Sequence, residues 1–165
     1  MASGDNSHSE GINTVASGLD SHAEGLSTVA SGECTHAEGR GAQAIGNCSH
    51  AEGRDNIANG YASHTEGRNT VTGGEKTEND LEENTNTTSG ANAHAEGNAT
   101  LAIGPNSHAE GKKTFTSGNS AHAEGYLTTA SGNYSHAEGT NHTGEGVTTS
   151  TQASGEGSHA EGAGT

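Results

Sequence analysis

Ten copies of the tetrapeptide His-x-Glu-Gly carry nearly all the side chains in this sequence that could do chemistry. The pairs are His8 with Glu10, His22 with Glu24, His36 with Glu38, His50 with Glu52, His64 with Glu66, His94 with Glu96, His108 with Glu110, His122 with Glu124, His136 with Glu138, and His159 with Glu161. Imidazole and carboxylate serve as acid–base groups and as ligands for transition metals. In an extended chain, residues two apart share a face. Stacked copies would therefore form one column of histidines and one of glutamates. A catalytic centre is normally unique, whereas ten equivalent copies have the character of a scaffold. No nucleophile–base pair stands apart from them, so no enzyme activity and no cofactor are expected. The first expectation for the ladder is a hydrogen-bonded network of His to Glu, within or between subunits, in which imidazoles relieve the repulsion of stacked carboxylates. Metal binding is the second reading and stands below it. On the first reading, acid should weaken the stack as the carboxylates protonate.

Three smaller constellations accompany the ladder. Arg40, Arg54 and Arg68 recur at one turn position and would form a short basic stripe. The stripe could neutralise the glutamate column locally or receive an anionic glycan. Cys34 and Cys48 lie 14 residues apart, each two residues before a ladder histidine. They should stack at about 4.8 Å, inside the Cα window for a disulfide, so a bond and two free thiols are both open. Tyr61, Tyr126 and Tyr134 fall in expected turns, where they could stack on sugars. A broken column of Thr14, Thr28, Thr70, Thr100, Thr114 and Thr128, interrupted by Ala42 and Asn56, raises ice binding as a distant alternative. A calcium-binding nonapeptide solenoid needs Asp in most repeats, and only Asp5, Asp20, Asp55 and Asp80 are present.

The elements that position these residues follow from the period. The step between histidines is 14 residues within the first five copies and within the next four. Between them lies a second element, as in Thr14-Val15-Ala16-Ser17-Gly18 and Thr100-Leu101-Ala102-Ile103-Gly104. The full unit, S-H-A-E-G-x-x-T-x-A-S-G-x-x, reads as strand, turn, strand, turn. Frequent Gly with Thr, Ser and Val between disfavours helix. Alternation sets His8 and Glu10 opposite Ser7 and Gly11. It likewise sets Val15 and Ser17 opposite Thr14 and Ala16. The residue after each histidine is always Ala, Ser or Thr, which suits a narrow interior. The column Val15, Val29, Ile57, Val71, Leu101, Phe115 is the apolar stripe, filling either the roll or a subunit interface. About eleven coils at about 4.8 Å would make a rod of roughly 50 Å. Residues 1–165 are read as one β-solenoid domain with irregular insertions near 75–89 and 147–154. The first insertion is expected to be one degenerate coil with a bulged loop, the second a half-coil or loop.

Composition bounds the rest. Apolar residues are 26% of the 165, and the formal charge is −15, a balance that would suggest disorder in a chain without a period. Six basic residues are too few to neutralise a phosphate backbone, so nucleic acid is not an expected partner. No apolar run reaches the roughly 18–20 residues of a membrane span, so no membrane insertion is expected. MASGDNSHSEG lacks the basic and apolar regions of a signal peptide. The sequence is expected to be a segment of a longer chain or a unit that stacks end to end. A core of such small residues buries little apolar area, which points to self-association.

The units Thr-Val-Ala-Ser-Gly-x-x-Ser-His-Ala-Glu-Gly resemble the repeats of YadA-like heads of trimeric autotransporter adhesins. That family's pattern is roughly S-V-A-I-G-x-x-S-x-A-x-G at the same step. Gln43-Ala44-Ile45-Gly46 and Leu101-Ala102-Ile103-Gly104 match it most closely. The resemblance covers nearly the whole chain outside Glu75–Ser89 and Val147–Ser154. It implies a left-handed parallel β-roll, a homotrimer, and attachment to a host surface protein or glycan at the cell surface or outside the cell. Similar repeats occur in phage and prophage tail fibres, so a virion tail is the runner-up location. Two features depart from the family: Ser usually replaces its Ile, and the fixed His-Glu pair is more polar than its usual filler.

Overall fold

The computed structural model of the chain describes residues 1–73, 90–140, 142–144 and 147–163. All regular elements among them are β-strands, and all but one antiparallel pair form a parallel solenoid. Each coil supplies one strand of five residues, such as His22–Leu26, and one of two, such as Val29–Ala30. The long strands build a ten-stranded sheet from His8–Ile12 to His159–Ala163. The short strands build a nine-stranded sheet from Val15–Ala16 to Gln152–Ala153. Every residue lies on its counterpart one coil away: His22 on His36, Ala23 on Ala37, Glu24 on Glu38, Gly25 on Gly39.

The interior is built from the smallest side chains. Among the described residues the buried apolar side chains are all alanines, most of them in one column after the ladder histidines and another in the short strands. Buried serines and threonines fill the remaining inward positions. The core is one small side chain deep. Where Thr72 or Thr116 replaces a short-strand alanine, its hydroxyl reaches that of Ser63 or Ser107 across the roll, at 2.7 and 2.9 Å. Serines before the histidines donate back to the preceding corner, as Ser21 Oγ does to the Gly18 carbonyl at 2.7 Å. Asn56 replaces a threonine and is fully buried. Its amide donates to the Gly67 carbonyl at 3.0 Å and accepts from Thr70 N at 2.9 Å.

Two questions that alternation left open are settled here. Val15, Val29, Ile57, Val71, Leu101 and Phe115 sit on the outer face of the short strands, half-buried, and do not fill the roll. The threonine column lies inside, with Thr28, Thr70 and Thr128 at 0% exposure. It offers no hydroxyl array to solvent, which removes the basis for ice binding.

The segment expected to be irregular at 75–89 lies outside the described residues. Its flanks pair directly, His64 on His94 and Val71 on Leu101. Among the described residues the stack holds ten long strands where about eleven coils were expected. The second irregularity, expected near 147–154, overlaps an antiparallel pair in the structure that begins before residue 147. Gln152–Ala153 already pairs with Thr129–Ala130, so the roll has resumed by then. The extra residues instead form an antiparallel pair, His142–Gly144 with Val147–Thr149. Ladder pairing decides which of two similarly spaced glycines continues the repeat: Gly155, packed against Gly132, does so.

Glycine fixes how closely the coils approach. Gly25 has φ +111°, and a Cβ there would lie 2.1 Å from the carbonyl oxygen of Gly39 in the next coil. Backbone cannot yield to such a contact, and left-handed φ adds strain for any L side chain. Gly25→Ala should therefore destabilise the roll by about 3 kcal/mol, read as a lowered urea midpoint. Gly157→Ala is the control: its φ is +62° but nothing lies within 4 Å, so the loss should be about 1 kcal/mol. Equal losses would show that close approach is not the limiting feature.

Candidate functional site

The long strands present the His-Glu ladder on their outer face. From His22 to His159 the imidazoles stack with centroids 4.8–4.9 Å apart and planes within 17° of parallel. His8, at the end of the column, instead meets His22 edge-on at 90°. The column crosses the first insertion without a break, since His64 and His94 are 4.8 Å apart. Interior ladder side chains are about one-third exposed, as at His108 (35%) and Glu110 (32%).

Within the chain, none of the eight imidazoles from His22 to His136 hydrogen-bonds to a glutamate through Nε2. Within a coil Nε2 and the glutamate Oε2 are 3.6 Å apart at His22 and 4.0 Å at His64, with the other coils between. At the last coil His159 approaches Glu138 at 3.8 Å. These lengths exceed a hydrogen bond but keep the groups in electrostatic contact. The Nε2 atoms of His22, His36, His50, His64, His94, His108, His122 and His136 are buried and make no hydrogen bond. Alternation put both groups on one face. It carried no information on how far the ring and carboxylate would stand apart once each also stacks on its own kind.

Stacking governs ionisation. His50, His94 and His108 are pushed below the ordinary histidine value of 6.5, first by loss of water and then by adjacent imidazoles. Glu52 is pushed above its ordinary 4.5, first by loss of water and then by hydrogen bonds with Glu66 and Glu38. At these three positions neutral imidazole is favoured, and at Glu52 the protonated carboxyl.

The smaller constellations land close to expectation. Arg40, Arg54 and Arg68 stack in register, but as last residues of long strands rather than in turns. Arg54 Nε pairs with Asp55 at 3.2 Å rather than with the glutamate column. Cys34 and Cys48 occupy the same position in adjacent turns, as expected, and are unbonded, exposed thiols. Parallel, in-register Cα–Cβ vectors hold the two Cβ atoms near the inter-coil spacing, wider than the ~3.8 Å mean of a disulfide. Tyr61 and Tyr134 are exposed in turns. Tyr126 ends a strand, with Lys112 Nζ 5.5 Å from its ring centre.

One feature of the turns went unread in the sequence. The second variable residue of each turn is left-handed, as at Asn6, Asp20, Cys34, Cys48, Asn92 and Asn106, and at Asn13, Asp55 and Asn69. The enrichment of Asn and Asp there was the available signal. Some of these amides link successive coils, Asn6 to Asp20 at 2.9 Å and Asn92 to Asn106 at 3.1 Å.

No protein-family model and no curated protein matches the chain, so the likeness to adhesin heads rests on the repeat residues alone.

The ionisation pattern moves the expected acid sensitivity. Histidines whose values are lowered on folding give stability that is full above their unfolded value and is lost as pH falls below it. Glu52, raised on folding, works the other way: its contribution is present in acid and lost as pH rises through its folded value. Melting temperature should therefore begin to fall just below the histidine value of 6.5, not in the carboxylate range. Replacing His50, His94 and His108 by Gln should flatten the profile between pH 7 and 5. A profile level to about pH 4.5 that then collapses would restore the carboxylate account.

Proposed function

We propose that this chain is a structural and adhesive segment, a homotrimeric β-roll that works as the head of a surface adhesin or as part of a fibre. The observation that carries the reading is the apolar column left outside a core of alanine, serine and threonine. Val15, Val29, Ile57, Val71, Leu101 and Phe115 run up one face of the short strands. A column of this kind gains from burial at about 25 cal/mol per Å², and a second and third copy would supply that burial. The repeat resemblance gives the number three and the cell-surface or virion setting. The ladder's equivalence from coil to coil supports a scaffold role over catalysis. Attachment to a host surface protein or a glycan would fall to the corners, where sequence varies.

The oligomer is the testable part. Sedimentation equilibrium should give about three times the 16.4 kDa chain mass. A Val29→Asp, Leu101→Asp double substitution, which puts charges into the column but not into the roll, should shift the mass toward the monomer and lower the melting temperature. A wild-type chain that is monomeric and stably folded would overturn the proposal, as would a double variant that keeps the trimer mass.

A further inference from the structure

Eight stacked imidazoles whose Nε2 atoms are buried without a hydrogen-bond partner are an unusual expense of polar groups. Each has a carboxylate oxygen within 4.0 Å and a second imidazole in the next coil. His50, Glu52 and His64 bring one ligand atom each to within 4.8 Å of one another, and the set recurs up the ladder. We propose that the ladder binds divalent transition-metal ions of the zinc class, each held by the imidazoles of two successive coils and the carboxylate of one of them.

The donor set fits that ion class. Two imidazoles, one carboxylate and a water make a tetrahedral zinc environment, and imidazole also suits nickel and copper. Calcium and magnesium prefer all-oxygen sites, which the ladder does not offer. With bonds of about 2.0–2.1 Å, tetrahedral ligand atoms lie roughly 3.4 Å apart. The His–Glu separations of 3.6–4.0 Å are close to that already. The imidazoles, 4.8 Å apart, must tilt toward each other by a little over 1 Å, and side chains one-third exposed have room to do so. The chain's formal charge of −15 favours cation entry.

Stacking also sets the occupancy. Each Nε2 has one lone pair, while successive sites share a histidine: His64 belongs to the set with His50 and to the set with His94. Neighbouring sites cannot fill together, so the ladder should load at alternate steps, with about half as many ions as stacked histidines.

The test uses the full chain stripped with chelator and titrated with Zn2+ by calorimetry, with Co2+ as a visible-absorption probe of geometry. The expected result is saturable binding at about one ion per two stacked histidines, an intense tetrahedral cobalt spectrum, and a rise in melting temperature reversed by chelator. His94→Gln with His122→Gln leaves His108 without a neighbouring imidazole and should lower the stoichiometry by one or two ions. Replacing Glu52, Glu66, Glu96, Glu110 and Glu124 by Gln removes the carboxylates while easing their mutual repulsion. It should leave a folded metal-free roll and weaken binding more than about tenfold. The proposal is overturned by an absence of saturable binding, by equal binding to the urea-unfolded chain, or by affinity and stoichiometry unchanged in both variants. The trimer mass is read separately, so the two proposals fail independently.

Discussion

The spacing between coils constrains everything else in this molecule. A parallel ladder holds successive backbones about 4.8 Å apart, and strict register then sets each side chain on another of its own kind. Only some residue types tolerate a column of themselves. At the corners glycine alone fits, because a Cβ on Gly18 would lie 1.8 Å from the Gly32 carbonyl oxygen. Inside, two sheets that face each other across one side chain accept Ala, Ser and Thr, and the hydroxyls find carbonyl or hydroxyl partners where they can reach. Branched apolar residues are displaced outward, and the stripe they form is what the roll has to offer a partner.

The same spacing explains why the ladder is made of histidine. A flat ring stacks well at 4.8 Å, and a neutral one does so without charge repulsion. A column of lysine or arginine at that spacing would repel itself, and glutamate does so unless carboxylates share protons, as Glu52 does with Glu38 and Glu66. Ring stacking and carboxylate stacking each lock a side chain to its copy above and below. The contact between the two columns is what remains, at 3.6–4.0 Å. The histidine–glutamate pairing that the motif advertises is thus a contact at electrostatic rather than hydrogen-bond distance.

Much of this was legible in the residues. The 14-residue step gave the coil, alternation gave the faces, and the uniform smallness after each histidine gave the narrow core. What stayed hidden has a common physical origin, the choice among locally equivalent arrangements. Gly146 and Gly155 are equally good corner residues in the sequence, and only the pairing of Thr129–Ala130 with Gln152–Ala153 selects between them. The 30 residues from His64 to His94 leave the next neighbour of His64 open in the sequence, and the direct stacking of those two rings supplies it. Val15 and its column could face in or out, because either face of a two-residue strand can be buried. Cys34 and Cys48 have the right vertical separation, but their parallel side chains do not have the right direction.

Both irregularities fall between ladder strands. The first lies between Gly73 and Gly90, outside the described residues, and the second follows the long strand His136–Thr140. In both cases the ladders on either side pair as though nothing intervened. Closing even a long loop adds only slowly to the entropy cost, whereas a residue added within a strand would shift every column above it onto the wrong neighbour. A repeating face cannot distinguish one partner from another, since each coil presents the same groups as the last. If this roll attaches to a particular surface, the discriminating contacts must therefore come from the corners, where the insertions depart and the residue type changes from coil to coil.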